Sequence, residues 1–249
     1  MNWKTAMRER LLKDGITDER VISAFCEVDR AKFLPASVRR WARDMTPLPL
    51  WRGMMTGSPN LLAMMTERAG LREGDVALEI GTGSGYHAAI LQAMGVRVYS
   101  VEAVWDLFRR ARENLSFDVR LRHWNGREGW PEHAPYDAIL VSCAARKIPG
   151  GLLAQLKEGG RLVAPVGDPC DATLFVVEKS KNGCNPLPLG RVRTVLMEDN
   201  HGDRKFYGEW GVGGAGCKTG AEMVRQESVA VALLGRNELA GDGRGHQSV

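Results

Sequence analysis

The stretch "VALEIGTGSGY" at 76–86 decides the fold. Its first five residues are an apolar run interrupted by one acid, and they lead without a spacer into Gly81, Thr82, Gly83, Ser84 and Gly85. "YHAAILQAMG" follows with the composition of a helix. A strand that turns on glycines into a helix opens a βαβ unit, because the glycines allow a tight turn and a close backbone approach to a ligand at the helix N-terminus.

Three classes of cofactor use such a loop. A phosphate-cradling loop ends in Gly-Lys-Ser/Thr, whereas this chain reads Gly85, Tyr86, His87, which excludes it. A dinucleotide fingerprint needs a glycine at 86, where Tyr86 stands. The remaining pattern, GxGxG, suits the amino-acid end of S-adenosylmethionine. The next strand, "VRVYSVE" at 96–102, ends in Glu102, where a carboxylate can accept the hydrogens of both ribose hydroxyls. The bland alternative is a glycine turn beside a surface glutamate, but the spacing and strand context favour the cofactor reading.

Outward from this unit, strands alternate with helices from about 75 to 197. Expected strands are 76–80, 96–102, 119–124, 136–144, 161–166, 173–179 and 192–197, with helices at 85–94, 104–115 and 150–157. This cadence predicts an α/β fold, a doubly wound seven-stranded Rossmann-like sheet covered on both faces. The last two strands, with no clear helix between 180 and 191, are expected as an antiparallel hairpin at one edge. An N-terminal helical segment precedes the sheet, its second helix starting in "TDERVISAFCEV" with Thr17 as N-cap. The expected organisation is a helical segment with a loop at 1–60, the cofactor domain at 61–197 and a glycine-rich extension at 198–249. One helix is expected in that extension, at about 221–234.

Composition limits the partners. The chain has 249 residues, 44% of them hydrophobic, enough for one large domain. A formal charge of +4 demands neither nucleic acid nor a membrane surface, and neither partner is expected. The start "MNWKTAMRERLLKDG" is charged throughout and no run of about 18 apolar residues follows, so a cytoplasmic chain is expected. Five scattered cysteines without CxxC spacing indicate neither a zinc site nor a disulfide frame.

Five stretches together resemble one known family. "GITDERVISAFCEVDRAKFLP", "LEIGTGSGYHAAIL", "VYSVE", "GREGWPEHAPYDAILVSCA" and "IPGGLLAQLKEGGRLVAPVG" are similar, in order, to protein-L-isoaspartate O-methyltransferases. The resemblance runs from Gly15 to Met197. It implies a methyltransferase that takes a methyl group from S-adenosylmethionine and esterifies isoaspartyl carboxylates in damaged proteins or peptides, acting as a monomer. It also implies cofactor contacts at Gly81, Thr82, Gly83, Ser84, Gly85, Glu102, Asn125 and Gly126, and no metal.

Two departures from the family pattern stand out. A family segment of the form LPIGxGQTISQP carries a hydroxyl residue near the methyl acceptor. Here the chain reads "LPLWRGMMTGSP" at 48–59, and the family serine falls on Gly57, flanked by Thr56 and Ser58. Ser58, with Thr56 in reserve, is therefore expected to orient the acceptor, and serine restored at 57 is expected to raise turnover. After the third strand the family has Gly-Asp-Gly, its aspartate on the adenine amino group, where this chain has Trp124, Asn125 and Gly126. Asn125 retains an acceptor oxygen. Two alternatives stay open: methylation of ordinary aspartate in one dedicated peptide partner, and a catalytically silent cofactor-binding module that uses Trp51, Trp124 and the tail.

Overall fold

The computed structural model describes residues 2–195 and Met197. In chain order the elements are α1 (Trp3–Lys13), α2 (Glu19–Glu27), α3 (Pro59–Ala69), β1 (Val76–Ile80), α4 (Tyr86–Ala93), β2 (Arg97–Glu102), α5 (Trp105–Asn114), β3 (Arg120–His123), β4 (Tyr136–Val141), α6 (Gly150–Ala154), β5 (Leu156–Val166), β6 (Ala172–Ser180) and β7 (Gly183–Val192). Short 3₁₀ turns fill several of the connections.

The seven strands form one sheet in the order β3-β2-β1-β4-β5-β6-β7. The pairs β1–β2, β1–β4, β2–β3 and β4–β5 are parallel, while β6 runs antiparallel to both of its neighbours. Strand alternation sends Ala77, Ala138 and Leu140 to one face, where Leu61 and Met65 of α3 and Ala88 and Leu91 of α4 meet them. Leu78, Ile80, Ile139 and Val141 face the other way and pack with Leu152 of α6. Burial on both faces is what makes β1 and β4 read as nearly continuous apolar runs.

The N-terminal helices share a core with the sheet helices. Val21, Ile22 and Phe25 of α2 cluster with Leu62 and Ala63 of α3 and with Tyr86 and Ile90 of α4. Glu67 of α3 also accepts hydrogen bonds from the Thr17 and Asp18 amides at 2.7 and 2.8 Å. The N-cap of α2 is consequently Asp18, whose carboxylate accepts from the Arg20 amide, and not the expected Thr17, whose amide is taken by Glu67.

Two further expectations need correction. The seventh strand is Gly183–Val192, nine residues earlier in its start than the expected 192–197; Val192 is its end, and 193–195 lie outside any strand. Its two prolines, Pro186 and Pro188, are tolerated because β7 is the edge strand, where a missing N–H on the solvent side costs no ladder bond. The hairpin itself is present as expected. The helix expected at 150–157 ends at Ala154, because β5 starts at Leu156 opposite Tyr136. Cys26, Cys143 and Cys184 are free thiols. The extension from 198, with the helix expected at 221–234, lies outside the described residues.

Candidate active site

Strand order reverses between β1 and β4: β1 leads on to β2 and β3 on one side, and β4 to β5 on the other. In open α/β sheets a crevice outside the strand carboxyl ends at such a switch point takes ligands. The Ser142 amide, just past β4, donates to Ile80 O at 2.9 Å, and the Gly81 amide donates to Val101 O at 2.8 Å. A cavity opens there, lined on one side by Gly81, Thr82, Gly83, Ser84 and Glu102 and on the other by Leu50, Thr56 and Gly57.

Glu102 is built into the loop it faces. One carboxylate oxygen accepts from the Gly83 amide and the other from the Val104 amide, both at 2.8 Å. Gly83 reaches this position with φ of 56°, in the left-handed region that glycine adopts without strain. The Ala103 amide is a further backbone donor to this carboxylate, whose remaining acceptor capacity can take a hydroxyl donor. Burial pushes the Glu102 carboxyl up to about 7; the backbone donors oppose that shift and the nearby Glu79 adds to it.

Beneath the loop lies a chain of buried polar side chains. Glu79 of β1 stands opposite Ser100 of β2 in the parallel ladder. Ser100 Oγ donates to Glu79 Oε2 at 2.6 Å, and the Thr82 and Ser100 hydroxyls are also 2.6 Å apart. On the other side His87 Nε2 sits 2.9 Å from Thr66 Oγ1, and its Nδ1 is 3.4 Å from Glu79 Oε1. This chain joins four elements, β1, β2, α3 and α4, beneath the glycine loop.

The second wall is the segment before α3. Pro49 bridges to Met55, and the Thr56 amide donates to Leu48 O at 2.8 Å, so 48–56 closes on itself as a small hairpin. Arg52 takes φ of 60° at its tip and pairs with Asp106 of α5 at 2.6 Å. Thr56 Oγ1 accepts from Leu48 N at 3.0 Å and from Arg30 Nη2 at 2.7 Å. Ser58 is the N-cap residue of α3, 2% exposed, and its hydroxyl makes no capping bond. Thr56 and Gly57 line the cavity, whereas Ser58 is not among the lining residues. A Cβ at Gly57 would lie 2.8 Å from Leu62 Cδ2 and 3.0 Å from Leu62 Cγ, so Leu62 occupies the room that a side chain at 57 would need.

The third wall follows β3. Gly126 lines the cavity, and a Cβ there would come within 2.5 Å of Ile80 Cγ2, so no larger residue fits. Asn125 caps the short turn Gly126–Glu128: its Oδ1 accepts from the Arg127 amide at 3.1 Å and its Nδ2 donates to Glu128 at 3.2 Å. The Trp124 indole packs with the cluster around Ile80 and Val101 and lies 4.2 Å from the Arg122 guanidinium. It is accommodated as packing, and neither it nor Asn125 lines the cavity. Gly85 serves as the N-cap position of α4 and likewise stays off the lining.

Five residues of the site escape a reading by motif: Arg30, Glu79, Tyr86, His87 and Ser100. Glu79 and Ser100 carry a signal, since each is a polar side chain inside an apolar strand and must find a partner when buried. Arg30 gives no such signal, because "EVDRAKF" has the composition of a solvated turn.

The likeness to known proteins agrees with this geometry. The sequence profile of the family "Protein-L-isoaspartate(D-aspartate) O-methyltransferase (PCMT)" matches residues 2–197. A protein-L-isoaspartate O-methyltransferase of Halorhodospira halophila is 46% identical over 195 residues, covering 76% of this chain and 88% of that protein. One from Methanoculleus marisnigri is 42% identical over 187 residues, covering 74% and 85%. Among solved structures, a candidate protein-L-isoaspartate O-methyltransferase of Plasmodium falciparum, in complex with S-adenosyl-L-homocysteine, superposes with a TM-score of 0.70 at 26% identity. It covers 80% of this chain and the whole of that one.

Proposed function

The chain belongs to the protein-L-isoaspartate(D-aspartate) O-methyltransferase family, and from that membership we infer that it methylates isoaspartyl carboxylates with S-adenosylmethionine. One observation carries the reading at the level of the site: the glycine loop with Glu102 and the segment ending in Thr56 and Gly57 are opposite walls of one cavity. A cofactor on the first wall thereby faces an acceptor on the second.

The residues present fit the cofactor. Glu102 offers a carboxylate with acceptor capacity left over at the end of β2, Gly126 leaves a gap that Ile80 would close to any Cβ, and the loop glycines admit close approach. We assign Gly81, Thr82, Gly83, Ser84 and Gly85 to the amino-acid end and Glu102 to the ribose. Asn125 and Gly126 are assigned to the adenine end, Gly126 by contact and Asn125 by holding the turn that presents it. When bound, S-adenosylmethionine supplies a methyl group on a positively charged sulfur.

An acceptor carboxylate held against the second wall would take that methyl group, leaving the former C–S electron pair on a neutral sulfur. A carboxylate of pKa about 4 is already ionised at neutral pH, so no general base is needed. What the protein contributes is alignment of the acceptor and exclusion of water, which can supply several kcal/mol. Apolar Leu50, Met54, Leu62 and Leu107 line the same cavity and serve the second purpose. The hydroxyl that orients the acceptor comes from the 56–58 segment, and Thr56 has the better position because it lines the cavity while Ser58 does not.

We place the enzyme, as part of the same proposal, in the cytoplasm as a monomer with no nucleic-acid or membrane partner. The mild charge of +4 supports the absence of a polyanionic partner. Among the described residues no helix is long and apolar enough to cross a membrane.

The test is incubation with methyl-labelled S-adenosylmethionine and a matched pair of peptides, one isoaspartyl and one aspartyl. Base-labile label on the isoaspartyl peptide alone is the expected result. Label on the aspartyl peptide alone would replace repair by the modification of a dedicated partner, a change that the altered content of 56–58 would suit. No label on either would overturn the enzyme reading.

A further inference from the structure

Arg30 is 1% exposed, and no carboxylate is among its hydrogen-bond partners within the described residues. Its Nη1 donates to Asp44 O at 2.8 Å, and its Nη2 lies 2.9 Å from Thr46 O, 2.7 Å from Thr56 Oγ1 and 3.3 Å from Gly57 O. Asp44 hydrogen-bonds through its carbonyl while its carboxylate favours the cation electrostatically, and the neighbouring Asp29 pairs with Arg43. The Tyr86 ring covers the guanidinium at 6.0 Å. Burial lowers the group only to about 10, so it is a cation at neutral pH. A full positive charge thus stands directly behind Thr56 and Gly57, two of the residues that line the acceptor side of the cavity.

The bonds at Thr56 have a consequence for its hydroxyl. The oxygen accepts from the Arg30 guanidinium and from the Leu48 amide. With both lone pairs engaged, the hydroxyl can act only as a donor. A guanidinium on the oxygen also polarises the O–H bond and strengthens what it donates to an anion.

We propose that Arg30 is a positioning residue for the methyl acceptor: it fixes Thr56 as a one-way donor into the cavity, and its buried charge favours an anionic acceptor over a neutral one. This rests on the isoaspartyl carboxylate reading above. It goes further by naming the group that replaces the missing side chain at 57 and by giving the site its preference for carboxylate. The Asp44 carboxylate favours this charge without hydrogen-bonding to it, and the acceptor's negative charge would add to that from the cavity side.

The experiment uses the full chain, an isoaspartyl peptide as substrate, and the corresponding peptide with its free carboxyl amidated as a neutral inhibitor. Thr56→Val is expected to raise KM for the isoaspartyl peptide about five- to thirtyfold, as loss of one charge-assisted bond would, and Thr56→Ser to recover most of it. Arg30→Lys retains the cation and should retain the preference for the acid over the amide, whereas Arg30→Met should lose it by roughly tenfold or more. The affinity for S-adenosylhomocysteine, measured by calorimetry, should stay within about twofold in all four variants, which reports that the fold and the other wall are intact. Should Arg30→Met fail to fold, the Thr56 pair and Arg30→Lys still decide. Thr56→Val with unchanged KM, or Arg30→Lys that loses the acid preference, would overturn the proposal while the wild type's activity upholds the function. A wild type that methylates neither peptide would overturn both.

Discussion

The carboxylate of Glu102 accepts the Gly83 amide at 2.8 Å, so the residue expected to hold the ribose also holds the loop proposed for the amino-acid end of the cofactor. Removing it should act twice. Glu102→Ala is expected to weaken S-adenosylmethionine binding at least tenfold, since even one charge-assisted bond of roughly 1.5 to 3 kcal/mol is worth that much. Calorimetry on the variant decides, and unchanged affinity would remove Glu102 from the site.

The same carboxyl makes binding depend on pH. Its pKa of about 7 in the free protein means that it is largely protonated below that value. Ribose hydroxyls donate to the ionised form and stabilise it, so binding lowers this pKa and releases a proton when the pH is below about 7. Affinity should therefore be flat above about pH 7 and fall on acidification by up to about tenfold per pH unit. Glu102→Gln, which cannot titrate, should flatten the curve. A wild-type curve that rises on acidification would contradict the sign.

Much of this site is legible in the sequence, and the illegible part has physical reasons. The strand, glycine loop and Glu102 can be read because a parallel strand buried on both faces leaves an unbroken apolar run, and because glycine marks the turn. The seventh strand is misread because its burial is slight: Pro186, Leu187 and Pro188 lie on an exposed edge, where alternation is not enforced. The apolar "VRTVLM" at 192–197 looks more like a strand, yet Val195 and Met197 bury their side chains in the cluster beside β4 without being in one. Arg30 is hidden because its partners are carbonyls from 44, 46 and 57, which no local pattern could bring together.

The Glu79–Ser100–Thr82 chain predicts a stability effect. Ser100 is fully buried and sits between a carboxylate oxygen and the loop hydroxyl, each at 2.6 Å. Ser100→Ala leaves both without that partner, and should cost about 1 to 3 kcal/mol, more than a typical exposed serine. Urea denaturation measures it. A change below about 0.5 kcal/mol would mean that the neighbours re-pair among themselves.

Asn125 is expected to act through the turn it caps. Asn125→Asp keeps the oxygen that accepts the Arg127 amide and loses the donor to Glu128, so cofactor affinity should hold within a few fold. Asn125→Ala loses the cap, about 1 kcal/mol, and should loosen Gly126 against Ile80. If Asn125→Asp binds S-adenosylmethionine far more weakly than Asn125→Ala, the added charge and not the cap is responsible, and the adenine end differs from the one assigned.

The last prediction concerns Gly57, where a serine restored to the family pattern looks like a gain of function. Backbone strain does not oppose it, since Gly57 is not among the residues with positive φ. Space does: a Cβ would stand 2.8 Å from Leu62 Cδ2 and 3.0 Å from Leu62 Cγ, closer than van der Waals contact allows. Leu62 is 5% exposed and belongs to the core shared by α2, α3 and α4, so it cannot swing into solvent. Overpacking of this kind costs roughly 1 to 3 kcal/mol. Gly57→Ser alone should therefore lower the melting temperature and lower turnover, against the gain expected from the sequence. Combining it with Leu62→Ala makes room at the cost of a cavity, about 2 to 5 kcal/mol for a buried leucine. If the hydroxyl at 57 matters for orientation, the double variant should turn over isoaspartyl peptide faster than Leu62→Ala alone at a temperature where both are folded. Equal rates in the two would leave Thr56 as the donor that orients the acceptor.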